Sequence, residues 1–358
     1  MAVTMSDRHV VIEAGRGLLG RELTLVEDAV VVFRNGLIEA AGPDASIPDD
    51  AEVIDARRMT VLPGFIDAHV HIGFFEPAEI AAGGVTTVRD LAWPPDSIWP
   101  LVEASRRPDW NGPSIVAAGP MLTAPGGYPT RAAWAPPGTG REVRDADDAR
   151  RAVDEVASHG ATIVKIALAP PVGPVLDEVT LAGIVDGAHG HGLRVTGHID
   201  GLEELHKALR AGVDELAHML SDEHIPDGTI AEMVRRPMTV VPTLAIRTGP
   251  GREFAIENVR RFVAAGGSVV YGTDLGNEGP RPGIDPTEIS AMAAAGMSPI
   301  QVIASATVDS AARLGLDAVG AIAPGLRADL IAVPGNPLED TAALSEVEMV
   351  WRAGRRLR

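Results

Sequence analysis

The sequence predicts an α/β fold: a (β/α)8 TIM barrel with a small composite β-sandwich domain formed by both termini. Eight short apolar runs alternate with longer segments of helical period, which is the pattern of parallel strands joined by helices. Both ends of the chain instead carry β-rich segments punctuated by turn residues. The 358 residues and their 46% hydrophobic share are sufficient for a core of this size.

The barrel strands are predicted between residues 62 and 322, with helices such as 145–158 and 202–211 between them. Their sequences are "GFIDAHVH", "GVTTVRD", "PSIVAAG", "ATIVKIAL", "LRVTGHI", "GVDELAHM", "MTVVPTL" and "GSVVYGTD". Residues 1–61 hold β-rich segments and a hairpin signal at Asn35-Gly36, without a clear helical pattern.

The C-terminal segments "GAIAPGLRADLIAVPGN" and "VEMVWRAGRRLR" become β-like again. We therefore assign residues 1–61 and 323–358 to the small domain and residues 62–322 to the barrel. A doubly wound sheet is the alternative fold, but no Gly-rich phosphate loop marks a first strand-to-helix turn.

The charge of the chain limits its partners. Its 31 basic and 49 acidic residues give a net charge of −18, which disfavours nucleic acids and anionic membrane surfaces. The dense basic cluster Arg352–Arg358 is short and is interpreted as a solvated tail. Asp7, Arg8 and His9 fall where a signal peptide would need its apolar core, and no stretch approaches the ~18 apolar residues of a membrane span. We expect a cytoplasmic protein that binds neither nucleic acid nor membrane.

The absence of cysteine excludes disulfides and thiolate ligands, so any metal must be held by imidazole, carboxylate or an unusual ligand. Polar side chains of this kind stand at the C-terminal ends of the predicted strands, where barrel active sites are built. They are His69, His71, Lys165, His198, His218 and Asp274.

His69 and His71 can bind one ion because residues i and i+2 of a strand point to the same face. His189 and His191 have the same spacing, but a helical pattern precedes them, so their rings should diverge and bind no metal. The spacing is therefore weak evidence without the position. Asp67 lies on the same face as His69 and either supports a ligand or makes a structural hydrogen bond.

Lys165 lies in an otherwise apolar strand, where a buried ammonium is costly. It can extend outward or pair with a carboxylate, act as a Schiff-base nucleophile, or carry CO₂ as a carbamate that bridges two cations. The carbamate alone accounts for histidines at the ends of the next two strands, His198 and His218. Asp274 adds a carboxylate that can bind metal and accept a proton.

These motifs resemble the amidohydrolase superfamily, specifically its binuclear members related to imidazolonepropionase, zinc-dependent prolidase-like carboxypeptidases and enamidase. The resemblance rests on "PGFIDAHVH", "GVTTVRD", "VKI", the two strand-end histidines, "YGTD" and "GAIAPGLRADLIAV", and covers nearly the whole chain. It implies two divalent metal ions, zinc above all, with manganese, iron or cobalt as alternatives. The implied ligands are His69, His71 and Asp274 for the more buried ion, His198 and His218 for the more exposed ion, and N6-carboxylated Lys165 between them.

The resemblance further implies that a hydroxide shared by the two metals cleaves an amide, lactam or cyclic imide C–N bond of a small-molecule substrate. Asp274 would take the proton of that hydroxide and pass it to the leaving group. The same site also fits a deaminase, a lactonase or a hydrolase that cleaves C–C or enamine bonds. A non-catalytic scaffold on the same fold is the third hypothesis. A homo-oligomer is compatible with the sequence.

Substrate contacts must come from loops that follow the strands. The loop 119–140 is expected to lack secondary structure and to cover the site, with Tyr128 and Arg131 as binding residues. His224 and Asn277, in the loops after strands six and eight, are weaker candidates that can equally be solvated. The 4% aromatic content offers no evident stacking platform for a nucleobase.

Two positions depart from the prolidase-like relatives and argue against a dipeptide substrate. Gly126-Gly127-Tyr128 stands where those relatives often carry Gly-Gly-His, and Ile199-Asp200 replaces an aromatic residue after the fifth-strand histidine.

Overall fold

The computed structural model describes residues 8–358, so residues 1–7 of the predicted small domain, with Asp7, lie outside the described residues. The strands are β1 Val10–Leu19, β2 Thr24–Arg34, β3 Leu37–Gly42, β4 Glu52–Pro63, β5 Phe65–Val70, β6 Val85–Asp90, β7 Ser114–Ala117, β8 Met121–Thr123, β9 Gly140–Glu142, β10 Val164–Leu168, β11 Val195–Ile199, β12 Glu215–Leu216, β13 Thr239–Val240, β14 Ser268–Val269, β15 Leu330–Pro334, β16 Met349–Arg352 and β17 Arg355–Arg356.

The helices lie almost entirely between the strands of the central region. They are α1 Pro77–Ala82, α2 Pro95–Ser105, α3 Ala146–Ser158, α4 Glu178–Gly190, α5 Leu202–Ala211, α6 Asp227–Arg235, α7 Gly249–Ala264, α8 Pro286–Ala294, α9 Pro299–Ser305 and α10 Val308–Leu314, with short 3-10 helices at Ile72–Phe74, Leu244–Ile246 and Thr341–Ser345. Asp145 and Asp177 begin α3 and α4 by accepting backbone hydrogen bonds from the first turn. Across residues 8–358, none of the helices is both long and apolar enough to cross a membrane.

The terminal segments form one seven-stranded sheet in the order β17-β16-β15-β4-β1-β2-β3. The hairpin predicted at Asn35-Gly36 joins β2 to β3, and both turn residues have positive φ, 51° and 82°. β15 runs antiparallel to β4, which brings the C-terminal segment into the N-terminal sheet. The sheet packs around its own apolar cluster, which includes Phe33 and Trp351.

The eight predicted central strands are all present and pair in parallel, which confirms the α/β fold. Together with the short strands β8 and β9, they form two sheets, β5-β6-β7 and β14-β13-β12-β11-β10-β8-β9. Every residue of β5, β6 and β10 is buried, as expected for parallel strands covered on both faces. Backbone hydrogen bonds also cross between the sheets, from Asp274 to His69 (2.8 Å) and from Thr162 to Ala117 (3.1 Å).

The loop 119–140 is more ordered than the sequence suggests, and the expectation that it lacks secondary structure is wrong. It contains β8 and reaches the start of β9; β8 pairs with β10 on one side and with β9 on the other. The chain leaves β7 at Gly119, whose φ is 79°, and Pro120 has no N–H to donate. The strand β7 is therefore followed by the short strands β8 and β9, where we expected a loop without secondary structure.

The C-terminal arginines do not form a solvated tail. Arg352 is buried and donates hydrogen bonds to the carbonyl groups of Ser105 and Trp110, at the end of α2 and in the loop after it. Arg355 donates to Trp110 and to the side chain of Asn111. The guanidinium groups satisfy backbone carbonyls that α2 leaves without partners, and they fix β16 and β17 against the central region.

A buried ion pair lies inside the parallel strands. Arg89 of β6 donates to Glu215 of β12 through both terminal nitrogens, at 2.5 and 3.2 Å, and through Nε to the carbonyl of Ala68 (2.8 Å). Both side chains are almost fully buried. The pair joins strands that are not neighbours in either sheet and lies close enough to Lys165 for both charges to affect its pKa.

We expect Arg89→Met to lower the free energy of unfolding by about 3 kcal/mol or more, because it leaves the Glu215 carboxylate buried without a cation. Arg16→Met is the control, since it removes an exposed pair with Glu27 that is worth at most ~1 kcal/mol. Urea unfolding of both variants measures the difference. Equal small losses would contradict a role of the buried pair in holding the strands together.

Candidate metal centre

The six side chains selected from the sequence come from five parallel strands or the segments that follow them. Five lie on or just after the C-terminal part of a strand; Lys165 is instead the second residue of β10, which corrects its expected position at a strand end. His69 and His71 come from β5 and the residue after it, Lys165 from β10 and His198 from β11; His218 follows β12 and Asp274 follows β14. Five are buried, and His198 is partly exposed, with 18% of its side chain accessible. The strand-end positions therefore converge, as the fold prediction requires.

His69, His71 and Asp274 form the tightest group. Their ligand atoms all lie within 4.8 Å of one another. Asp274 Oδ1 is 3.3 Å from Nε2 of both histidines. Burial alone would raise the pKa of Asp274, but the charge of His69 and the contact with His71 lower it below its usual range. The carboxylate is therefore held ionised beside two imidazoles.

The other two histidines continue this group. The ring of His218 lies 4.7 Å from that of His69 and 4.6 Å from that of His198, measured between centroids. His218 Nδ1 is also 3.8 Å from Asp274 Oδ2. Four imidazoles and one carboxylate therefore form a continuous cluster with two ends, His71 at one and His198 at the other.

Lys165 is 1% exposed, and its Nζ has no hydrogen-bond partner among the described residues. Burial lowers the pKa of its amine to about 7, while the charges of Asp274 and Glu215 oppose that change. Its own charge in turn affects the pKa values of His69 and His218. A substantial fraction of the amine is thus neutral near pH 7, as reaction with CO₂ requires.

Neighbouring groups orient the ligand atoms. His71 Nδ1 lies 3.2 Å from the carbonyl of Ala92, and His218 Nδ1 lies 2.8 Å from the hydroxyl of Thr243. A ring that donates from Nδ1 presents a free Nε2, the arrangement that metal ligands usually have. Thr243 and Asp274 both adopt left-handed backbone conformations, with φ of 47° and 58°. Such strain in non-glycine residues is typical of functional sites.

Asp67 makes structural hydrogen bonds rather than supporting an imidazole. Its carboxylate accepts from the backbone N–H of His69 (3.0 Å) and from the N–H (3.1 Å) and hydroxyl (2.6 Å) of Thr273. Burial raises the pKa of Asp67 to about 7, against these hydrogen bonds. The Asp67 carboxylate joins the strand of His69 to the segment that carries Asp274, and so it positions these two ligands through the backbone.

These residues fit a metal group. Lys165 Nζ, Asp274 Oδ1 and His69 Nδ1 are buried polar atoms without a hydrogen-bond partner within residues 8–358, and all three belong to the same cluster. Buried polar atoms are normally satisfied, so an unsatisfied group of this kind requires an explanation. Imidazole and carboxylate ligands in this number suit a divalent transition metal.

His189 and His191 contact different partners. His189 Nε2 lies 2.9 Å from Asp214, and His191 Nε2 lies 2.6 Å from Asp154. The two rings therefore diverge, as the helix end predicts.

The four predicted substrate residues divide into two pairs. Tyr128 packs against His198 at 4.9 Å between ring centroids, and Asn277 donates to the carbonyl of Asp274 (3.3 Å). Arg131 is exposed beside Gly126, and His224 is exposed against Phe254. The structure gives Arg131 and His224 no contact with the cluster, because both side chains are exposed to solvent.

Three further residues border the cluster. Trp134 lies 4.9 Å from the ring of His71 and donates from its indole to the hydroxyl of Tyr128 (3.1 Å). Asp90 accepts from the backbone N–H of Ile72 (2.9 Å) and fixes the chain just after His71. Burial lowers the pKa of His218, and the charge of Arg247 contributes to that lowering. Asp90 is the last residue of β6, so the strand-end pattern that selected the predicted ligands could also have identified it. Trp134 and Arg247 lie in loops, and their positions depend on the conformation of those loops.

Trp134, Tyr128 and Phe74 form an aromatic wall over the two ends of the cluster, with Trp134 6.0 Å from Tyr128 and 6.3 Å from Phe74 between ring centroids. These are three of the 13 Phe, Trp and Tyr residues of the chain. The ring of Trp134 is tilted by 53° to that of Tyr128 and by 58° to that of Phe74, so the expectation of no stacking platform for a nucleobase stays a prediction. The loop 119–140 contributes two of the three rings and so covers the site.

The chain is similar in sequence and in fold to known proteins. The model of the amidohydrolase family matches residues 60–357. An imidazolonepropionase from Deinococcus deserti is 28% identical, over 96% of this chain and 95% of that protein. A solved Xaa-Pro dipeptidase with methionine bound in its active site has a TM-score of 0.82 at 24% identity, over 97% of this chain and 99% of that one.

A second solved structure, the ochratoxinase of A. niger, has a TM-score of 0.81 at 19% identity, over 98% of this chain and 96% of that one. At these identities the two structures establish the fold alone. The match to the family model extends over most of the chain, from β4 to the C-terminal strand. The chain belongs to the amidohydrolase family and is a hydrolase acting on carbon–nitrogen bonds.

Proposed function

We propose that the protein is a binuclear metal-dependent hydrolase that cleaves an amide, lactam or cyclic imide C–N bond of a small molecule. The observation that supports this most is the unpartnered, buried amine of Lys165 beside the cluster of His69, His218 and Asp274. A scaffold has no physical need for a buried lysine among imidazoles, because the desolvation it imposes is not offset by any hydrogen bond.

His69, His71 and Asp274 would hold one metal, His198 and His218 the other, and carboxylated Lys165 would contact both. Two divalent ions supply Lewis acidity, which polarises a carbonyl and lowers the pKa of water from about 15.7 toward ~7. Zinc is the expected ion. Asp274 Oδ1, which has no hydrogen-bond partner within residues 8–358, accepts the proton of the attacking water and returns it to the leaving nitrogen.

We further propose that the two parallel sheets close into one eight-stranded barrel, with the residues 62–322 as its domain. The hydrogen bonds between Asp274 and His69, and between Thr162 and Ala117, support closure because they bridge both gaps between the sheets. The seven-stranded sheet supports a small domain composed of residues 1–61 and 323–358, as far as these are described.

The aromatic wall favours a substrate with an apolar or aromatic group next to the scissile bond. Trp134 and Tyr128 lie over His71 and His198, so a group bound there would also be kept from water. The wall therefore favours an amide, lactam or imide that carries an apolar group over a small polar substrate. The deaminase, lactonase and C–C or enamine-cleaving reactions remain alternatives on the same ligands.

Metal content distinguishes these enzymes from a scaffold. After reconstitution with Zn²⁺ or Mn²⁺ in bicarbonate buffer, we expect about two equivalents of metal per chain by elemental analysis, because the cluster offers two groups of ligands. Removal by a chelator should abolish hydrolysis, and readdition should restore it. A protein that retains less than one equivalent would rule out both the proposed hydrolase and its alternatives on this site.

A further inference from the structure

Arg247 lies at the C-terminal side of the candidate metal centre. It directly follows the 3-10 helix Leu244–Ile246, in the loop after β13. Thr243, four residues earlier, contacts His218, and Ala245 is fixed by a hydrogen bond from its N–H to the buried Glu288 (2.7 Å). The segment that carries Arg247 is therefore anchored on the cluster at one end and on α8 at the other.

The guanidinium of Arg247 has no ion-pair partner within residues 8–358, and its Nε is a buried atom without a hydrogen bond. Two buried or partly buried arginine side chains elsewhere in the chain are paired with carboxylates, Arg89 with Glu215 and Arg327 with Asp329. A buried N–H donor without an acceptor costs about 1–3 kcal/mol, so an acceptor is expected from outside the chain.

The charge of Arg247 reaches the exposed half of the cluster. Its guanidinium is close enough to Asp200 and to His218 for its charge to act on both side chains. Arg247 forms no ion pair with Asp200 within residues 8–358, because the Asp200 carboxylate lies against His198 instead, 3.5 Å from its Nε2.

We infer that Arg247 binds a carboxylate of the substrate, so that the enzyme acts on acyl amino acids or on lactams and imides that carry a carboxylate near the scissile bond. This rests on the proposed hydrolase function. A guanidinium pairs with a carboxylate through two parallel hydrogen bonds, a geometry that Lys cannot reproduce. In a chain with a net charge of −18, a carboxylate substrate also needs a local cation to overcome repulsion. Arg131, the arginine favoured by the sequence, is exposed and away from the cluster.

Matched substrates test this inference directly. N-acetyl-L-leucine, N-acetyl-L-phenylalanine and N-acetyl-L-methionine are each compared with the corresponding uncharged carboxamide. For Arg247→Gln we expect kcat/KM to fall about 10- to 100-fold on the acids, mainly through KM, and to change less than about 3-fold on the carboxamides. Arg247→Lys should recover part of the loss. Arg252→Gln, which removes an arginine that bonds only to a carbonyl of α8, is the control and should leave both series unchanged.

Binding measured without turnover separates this inference from the proposed function. Calorimetry of N-acetyl-L-phenylalanine with metal-loaded Asp274→Asn protein should give a dissociation constant that rises about 10-fold or more when Arg247→Gln is added. If the wild type hydrolyses no acid or amide while this shift is still observed, the hydrolase proposal fails and the carboxylate site stands. An equal effect of Arg247→Gln on acids and carboxamides, or no shift in binding, would overturn the carboxylate site.

Discussion

Lys165→Ala is expected to lower kcat/KM by more than about 100-fold and to reduce bound metal well below two equivalents. Changes to groups that only support metal ligands already cost about 10- to 100-fold, and Lys165 is proposed as a direct ligand of both ions. Its amine is buried, unpartnered and shifted to a pKa of about 7, so a neutral form is present to take up CO₂ near pH 7. Alanine would remove both oxygens of the proposed carbamate at once.

Short carboxylic acids should restore part of the activity of Lys165→Ala, because acetate or propionate can place two oxygens in the space that the side chain leaves. The chain's other lysine, Lys207, pairs with Glu204 on α5, and Lys207→Ala is the matched control with no expected change. In wild-type protein prepared with ¹³C-bicarbonate, a carbamate signal should appear in the NMR spectrum and be absent from the variant. A fully active Lys165→Ala protein, or rescue by amines as well as acids, would contradict the bridging role.

The strand-end ligands could be predicted from the sequence because their placement follows from two local rules. Side chains alternate along a strand, and parallel strands end at one edge. His69, His71 and Asp274 therefore meet whatever the details of packing. The hairpin at Asn35-Gly36 was predictable for the same reason, since positive φ at both positions is a property of those residues.

The substrate side of the site could not be predicted in this way, because loop positions depend on contacts between segments distant in the sequence. Trp134 reaches His71 only because the loop 119–140 forms β8 and β9 and is thereby held against β10. Tyr128 was selected correctly as a residue of that loop, but Arg131, three residues later, turns to solvent. Arg247 lies in a stretch without a distinctive pattern, and only its burial without a partner identifies it.

The arginines of the C-terminus illustrate the same limit. A run of basic residues at a chain end is usually solvated, and the sequence contains no sign that α2 ends nearby with free carbonyl groups. The fold brings Arg352 to Ser105 across a separation of 247 residues. Composition describes how many charges a segment has, but not which acceptors the fold places beside them.

Asp274→Asn is expected to have the largest effect, a fall in kcat of about 10⁴-fold or more with the fold retained. Removing a general acid–base group alone costs ~10²–10⁴-fold, and the amide also weakens the metal site by one negative charge. Asparagine keeps the size of the side chain and can still accept the contacts with His69 and His71. It cannot take up a proton, so the attacking water and the leaving nitrogen both lose their proton carrier.

Asp285→Ala provides the comparison that separates chemistry from stability. Asp285 is equally buried, but it caps α8 through the N–H groups of Thr287 and Glu288 and does not contact the histidines. We expect its variant to melt at a lower temperature and to keep kcat at temperatures where it is folded. Asp274→Asn should show the reverse, with a nearly unchanged melting temperature in metal-loaded protein and almost no turnover. If Asp274→Asn retained more than about 10% of kcat with two metals bound, the proton would have to be carried by another group, and Asp274 would be a ligand without a catalytic role.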